Sequence, residues 1–102
     1  MKKKKVILPE IQDSDFPYKF YQCYWKDIQS DSAWNNLKTI KKFEPAVCIT
    51  MGWLISTKNQ NYVFISDINF NEDGFINEGG NSTVIPKSNI LKLKEIKLWW
   101  KI

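Results

Sequence analysis

The sequence predicts a mainly β fold: a small five-stranded barrel with one α-helix inserted after the first strand. Three observations carry this. Five segments show the two-residue apolar/polar period or the β-branched and aromatic content of strands. Only the stretch between the first two of them spaces its apolar residues as a helix does, behind a cluster of capping side chains. The 102 residues suit one domain, and a β domain of that size must manage its sheet edges, which closure into a barrel removes.

Residues 1–17 read as a basic arm: Lys2, Lys3, Lys4 and Lys5, then Pro9, Asp13-Ser14-Asp15 and Pro17. Residues 18–102 read as the barrel domain. Its first strand covers residues 18–28, where Tyr21, Cys23 and Trp25 form a core face and Gln22, Tyr24 and Lys26 alternate with them. Ser30-Asp31-Ser32 then offers side-chain oxygens to the free amides of a helix start. Ala33, Trp34, Leu37 and Ile40 follow at helical spacing. Lys41 and Lys42 sit where the helix dipole favours cations, and Pro45 ends the segment, which predicts a helix over 31–42.

Residues 46–57 form the most apolar strand, with Val47, Ile49 and Met51 on one face and Gly52 marking a bulge or sharp bend. A polar turn at 58–61 leads to a returning strand over 62–68. Residues 69–81, rich in Asn, Gly and acid, read as a long exposed loop. A short strand at 82–85, a tight turn or single 3₁₀ turn at 86–89 and a last strand over 90–98 complete the domain. Trp99 and Trp100 stand at the end of the chain.

The net charge of +4 comes entirely from the four lysines of the arm; from Val6 onward eleven lysines face eleven carboxylates. The charges are segregated: Asp67, Glu72, Asp73 and Glu78 make an acidic stretch, while Lys87, Lys92, Lys94, Lys97 and Lys101 make a basic one opposed only by Glu95. Such faces steer partners, although plain solvated surfaces account for them as simply. All basic residues are lysine, and there is no histidine. The commonest general base near neutral pH is therefore missing, as is the bidentate reader of phosphate or guanine. An AT-rich coding sequence would also favour Lys over Arg. The run Val6-Ile7-Leu8 is too short for a signal peptide, and no segment approaches the length of a membrane span. Cys23 and Cys48 accordingly read as reduced thiols of a cytoplasmic protein, with a disulfide between neighbouring strands as the other possibility.

Each candidate site has a plainer reading beside it. The stretch Asn69-Phe70-Asn71-Glu72-Asp73-Gly74-Phe75-Ile76 partly matches a calcium loop, but Gly80 stands where the bidentate Glu belongs, and an acidic hairpin explains it better. Cys23 and Cys48 lack a histidine to activate a thiolate and are too few for a structural zinc site. Asp27 and Asp31 are explained as turn-closing and capping groups. These readings leave no catalytic, cofactor-binding or metal-binding residue. Binding candidates remain. Phe20 and Tyr24 lie opposite the core face of the first strand, so aromatic surface there must be exposed or must cover a partner. Lys2, Lys3, Lys4, Lys5, Lys87, Lys92 and Lys94 are candidate contacts to a partner or to nucleic acid phosphates. Trp99 and Trp100 are candidates for packing over a barrel end or for an interface with another subunit.

The order Trp25-Lys26-Asp27-Ile28, Trp34, Gly52-Trp53-Leu54-Ile55 and Ile85-Pro86-Lys87-Ser88-Asn89-Ile90 resembles a family of short, uncharacterised proteins encoded by phages and prophage-bearing bacteria. The likeness covers roughly residues 18–93 and carries over no site. The bend at Gly52 and the turn at Pro86 also resemble Sm-like and SH3-like barrels, which bind RNA, DNA or peptides or assemble into rings; fold likeness alone transfers no function. The expectation is a non-catalytic interaction module, related to phage or mobile elements, acting on a protein partner or on itself in the cytoplasm. The alternatives are a nucleic-acid-binding barrel using its lysines, and a scavenger or inhibitor that takes up a small ligand. No membrane partner is expected.

Overall fold

The computed structural model describes residues 8–11 and 15–98. Lys2, Lys3, Lys4, Lys5, Trp99 and Trp100 lie outside the described residues. Five strands and one short helix follow in order: β1 Phe20–Asp27, α1 Leu37–Ile40, β2 Ala46–Ser56, β3 Asn61–Phe70, β4 Ile76–Pro86 and β5 Ile90–Ile96. They make one antiparallel sheet in the order β4-β3-β2-β1-β5. The mainly β fold, the strand count and the position of the helix after the first strand are as the sequence predicts. Among the described residues no helix is long and apolar enough to cross a membrane.

Alternation in β1 sets the inner face. Cys23, Phe64 and Ile85 are fully buried, and Tyr21, Trp25, Leu54, Tyr62, Ile90 and Leu93 pack around them. The Trp25 indole N–H donates to Thr50 Oγ1 at 3.0 Å, so a large ring enters the core with its donor satisfied.

Strand β2 is shared between two neighbours, which bends it. Residues Ala46 to Trp53 pair with β1; Trp53, Leu54 and Ser56 pair with Ile65, Phe64 and Val63 of β3, with a register shift after Leu54. A Cβ on Gly52 would lie 2.6 Å from the Ile65 carbonyl oxygen. Only glycine lets the two backbones approach so closely; the register irregularity of β2 lies further on, between Leu54 and Ser56.

The edge strands β4 and β5 are consecutive in the chain, joined only by a 3₁₀ turn at Lys87–Asn89. In a flat sheet, strands spaced at about 4.8 Å would put the two edges about 19 Å apart. The four residue steps from Pro86 to Ile90, with a 3₁₀ rise of about 2 Å per residue, fall short of that. The sheet therefore curls strongly. Asn89 Nδ2 fastens the turn to β1 by donating to the Lys26 carbonyl at 3.0 Å. Closure into a barrel is not completed by backbone pairing: among the described residues β5 pairs with β1 and β4 with β3, and no ladder joins β4 to β5.

Three boundaries differ from the sequence expectation. The helix predicted over 31–42 is one turn. Its N-cap is Asn36, whose Oδ1 accepts from the Thr39 amide at 2.8 Å, while Asp31 accepts from the Ala33 amide at 2.9 Å in a local turn. Trp34, Leu37 and Ile40 are 101%, 74% and 42% exposed; with nothing among the described residues to pack against, an amphipathic segment of this length does not propagate. The long loop predicted over 69–81 is instead a hairpin. β3 continues to Phe70, β4 begins at Ile76, and cross-strand polar contacts extend the ribbon: Glu78 N–H to Asn69 Oδ1 at 2.8 Å, and the Asn81 side-chain amide to Asp67. The arm predicted over 1–17 is anchored before it ends. Phe16 is buried and packs edge-to-face on Tyr18 and Trp53, with ring centroids 5.0 and 5.4 Å apart.

Candidate binding face

The register of β5, β1 and β2 lays out an outer face row by row. Phe20 stands between Trp53 and Ile96, Gln22 between Met51 and Lys94, and Tyr24 between Ile49 and Lys92; Lys26 lies beside Val47. The first row is closed over. Phe20 and Trp53 stack edge-to-face at 5.2 Å, and Phe16 packs on the same indole. Among the described residues the cover stops beyond that row. Met51, Ile49 and Val47 are 45%, 53% and 62% exposed, and the exposure rises with distance from the aromatic cover. Tyr24 is half-buried, and Lys26, Lys92 and Lys94 are exposed at the rim.

Opposite residues on the inner side explain the orientation. Trp25 pairs with Cys48 and Cys23 with Thr50, while Gly52 pairs with Tyr21. Large rings on β1 need small residues beside them in the core, so Cys48, Thr50 and Gly52 turn inward and the aliphatic set turns out. A contiguous aliphatic strip along the part of β2 that pairs with β1 is unlike scattered surface apolar residues, which need no explanation.

Of the residues singled out from sequence, Phe20, Tyr24, Lys92 and Lys94 come together on this one face. Lys87 does not join them; it lies on the 3₁₀ turn beside Asn59, Gln60 and Asn61. Val47, Ile49 and Met51 belong to the face and were not singled out. The signal that finds them is the small set Cys48, Thr50 and Gly52 opposite the rings of β1.

The remaining candidates resolve into structure. Asp27 accepts from the amide of Ile28 at 2.8 Å, and Asp31 serves the turn described above. Cys23 and Cys48 are both free and are diagonal neighbours on the inner face; burial pushes the Cys23 thiol up from its ordinary value, which favours the unreactive form. In the loop read against a calcium site, Asn71 Oδ1 accepts the amides of Asp73 and Phe75, each at 3.0 Å, so its oxygen closes a hairpin turn. Among the described residues no three His, Cys, Asp or Glu side chains gather as a metal site. An open cleft of about 480 Å³ lies at the foot of the excursion between β1 and β2, with Ile28, Phe43, Asp31 and Glu44 among its walls.

The face sets an aliphatic strip beside three exposed lysines. The chain matches no protein-family model, no curated protein and no solved structure.

Proposed function

We propose that this chain is a non-catalytic interaction module that binds a protein surface with an apolar centre and a carboxylate rim, through the outer face of β5, β1 and β2. The observation that supports this is the strip Met51, Ile49 and Val47, left 45–62% exposed between the covered Trp53 row and the lysines. Full burial of one such side chain contributes about 1.5–3 kcal/mol; about half of that remains available to a partner at each position. Acidic groups opposite Lys26, Lys92 and Lys94 would set orientation and speed encounter. By its resemblance to phage-encoded proteins, such a module would work in a host cytoplasm.

The test is native mass spectrometry of gently purified protein, comparing the wild type with Ile49→Lys and with Val84→Lys, a control on β4. A second protein mass that is retained by the wild type and the control and lost from Ile49→Lys supports the reading. Equal retention by all three, at a level indifferent to Ile49, overturns it.

A second reading has its own observation: Lys92 and Tyr24 are cross-strand neighbours, with Lys94 and Lys26 beside them. Lysines around a ring suit single-stranded nucleic acid. Three phosphate contacts would give a slope of log affinity against log salt of about −2. Retained nucleotide mass and that slope would replace the protein reading with this one.

A further inference from the structure

Resting on that reading of the outer face, we infer that the surface it receives is the β3–β4 hairpin tip of a second copy of this chain. The face asks for an apolar group ringed by carboxylates, and the tip carries one. Phe75 is 67% exposed, Glu72 and Asp73 stand just before it across Gly74, and Glu78 and Asp67 lie further down the same ribbon, all exposed. Lys26, Lys92 and Lys94 stand against Glu72, Asp73 and Glu78, so the contact is neutral as a whole.

The tip is preformed. The Asn71 amide donates to the Phe75 carbonyl at 2.8 Å and the Gly74 amide to the Asn71 carbonyl at 3.0 Å. Asn71 Oδ1 holds two further amides, and Gly74 takes the positive φ of 84° that the turn requires. A tip already ordered loses little entropy on docking.

Charge also fixes the mode of assembly. Face against face would set lysine against lysine. Tip into face joins two different patches, so the contact closes reciprocally as a two-fold dimer or runs head-to-tail into a ring or a filament. A hairpin tip buries less than the roughly 1,200 Å² of a stable interface, which makes the association weak and concentration-dependent.

The experiment is sedimentation velocity on the full chain from about 10 μM to about 1 mM. It compares the wild type, the tip variant Glu72→Lys/Asp73→Lys, the face variant Lys92→Glu/Lys94→Glu, and an equimolar mixture of the two variants. All four substituted side chains are exposed, so the fold survives the changes. The wild type gains mass with concentration, each variant alone associates at least tenfold more weakly, and the mixture recovers wild-type association because its charges are complementary again. A monomeric wild type across the range overturns the inference, as do variants that associate like the wild type. If Ile49→Lys abolishes an association that Glu72→Lys/Asp73→Lys leaves intact, the face stands as a binding surface and the hairpin is not its partner.

Discussion

Replacing Gly52 with alanine sets a methyl carbon 2.6 Å from the carbonyl oxygen of Ile65, 3.2 Å from its carbonyl carbon and 3.4 Å from the Phe64 Cβ. The first of these is well inside van der Waals contact, and the obstacle is backbone of the neighbouring strand, which cannot rotate away. Strands β2 and β3 must part by several tenths of an ångström at this point. Overpacking of this kind costs about 1–3 kcal/mol. Alanine in place of glycine stiffens the unfolded chain and returns about 0.4–1 kcal/mol where the native backbone tolerates it. The net loss expected for Gly52→Ala therefore spans about 0–2.6 kcal/mol and centres near about 1.3 kcal/mol, or a fall in Tm of about 5–10 °C for a domain of this size. Gly80→Ala is the matched control: its Cβ would meet only the Asp67 Cβ at 3.7 Å, an ordinary contact, so the same entropic gain appears without a clash. Urea unfolding followed by tryptophan fluorescence reads both. Equal stability of the two variants would refute the close approach of β2 and β3 at Gly52.

Other consequences are as direct. Trp34→Ala should change unfolding stability by no more than about 0.5 kcal/mol, because the side chain is fully exposed; a loss above 1 kcal/mol would mean that the excursion packs on the sheet. Native protein should react with Ellman's reagent faster at Cys48, which is half-buried, than at Cys23, which is fully buried with its thiol pushed up by that burial; equal rates in the single-cysteine variants Cys23→Ser and Cys48→Ser would count against this difference in burial. A hydrogen bond from Lys97, with Lys97 and Lys19 as nearby charges, holds the Glu95 carboxyl below its ordinary value of 4.5. The folded pKa being depressed, this contribution to stability is present above the unfolded value and is lost as pH falls through the lower folded one. Glu95→Gln should remove that acid-limb dependence, and because the site is exposed, 1 M salt should remove it too.

The parts of the fold legible in the sequence are those where one local rule acts alone. Tyr21, Cys23 and Trp25 alternate with polar residues, and that period placed the core face of β1 before any tertiary information. The segment around Pro86 announced the 3₁₀ turn through backbone chemistry, while the irregularity read at Gly52 falls between Leu54 and Ser56. The helix was overextended because Ala33, Trp34, Leu37 and Ile40 encode amphipathicity but not whether a surface exists to receive it. The β3–β4 ribbon was missed for the opposite reason. Asp67, Asn69, Glu78 and Asn81 show no apolar alternation, and what orders them is pairing across the ribbon, a relation between residues nine and fourteen apart.

The candidate face was half legible for a related reason. Phe20 and Tyr24 were visible as aromatics opposite a core row, and Lys92 and Lys94 as lysines sharing a face; only the antiparallel register of β5 on β1 brings the four together. The strip on β2 was invisible to hydropathy. Val47, Ile49 and Met51 are more apolar than Cys48, Thr50 and Gly52, and transfer free energy alone would turn the first set inward. Packing decides against it. Trp25 and Tyr21 fill the space beside β2, Trp25 takes Thr50 as its hydrogen-bond acceptor, and Gly52 is the only residue that fits under Ile65. A core that requires the smaller, more polar side of a strand leaves the aliphatic side in water, at a cost the isolated domain does not recover. That cost is what a bound partner would return, and it is why the misfit between hydropathy and burial on β2 points to an interaction more directly than any charge pattern in the chain.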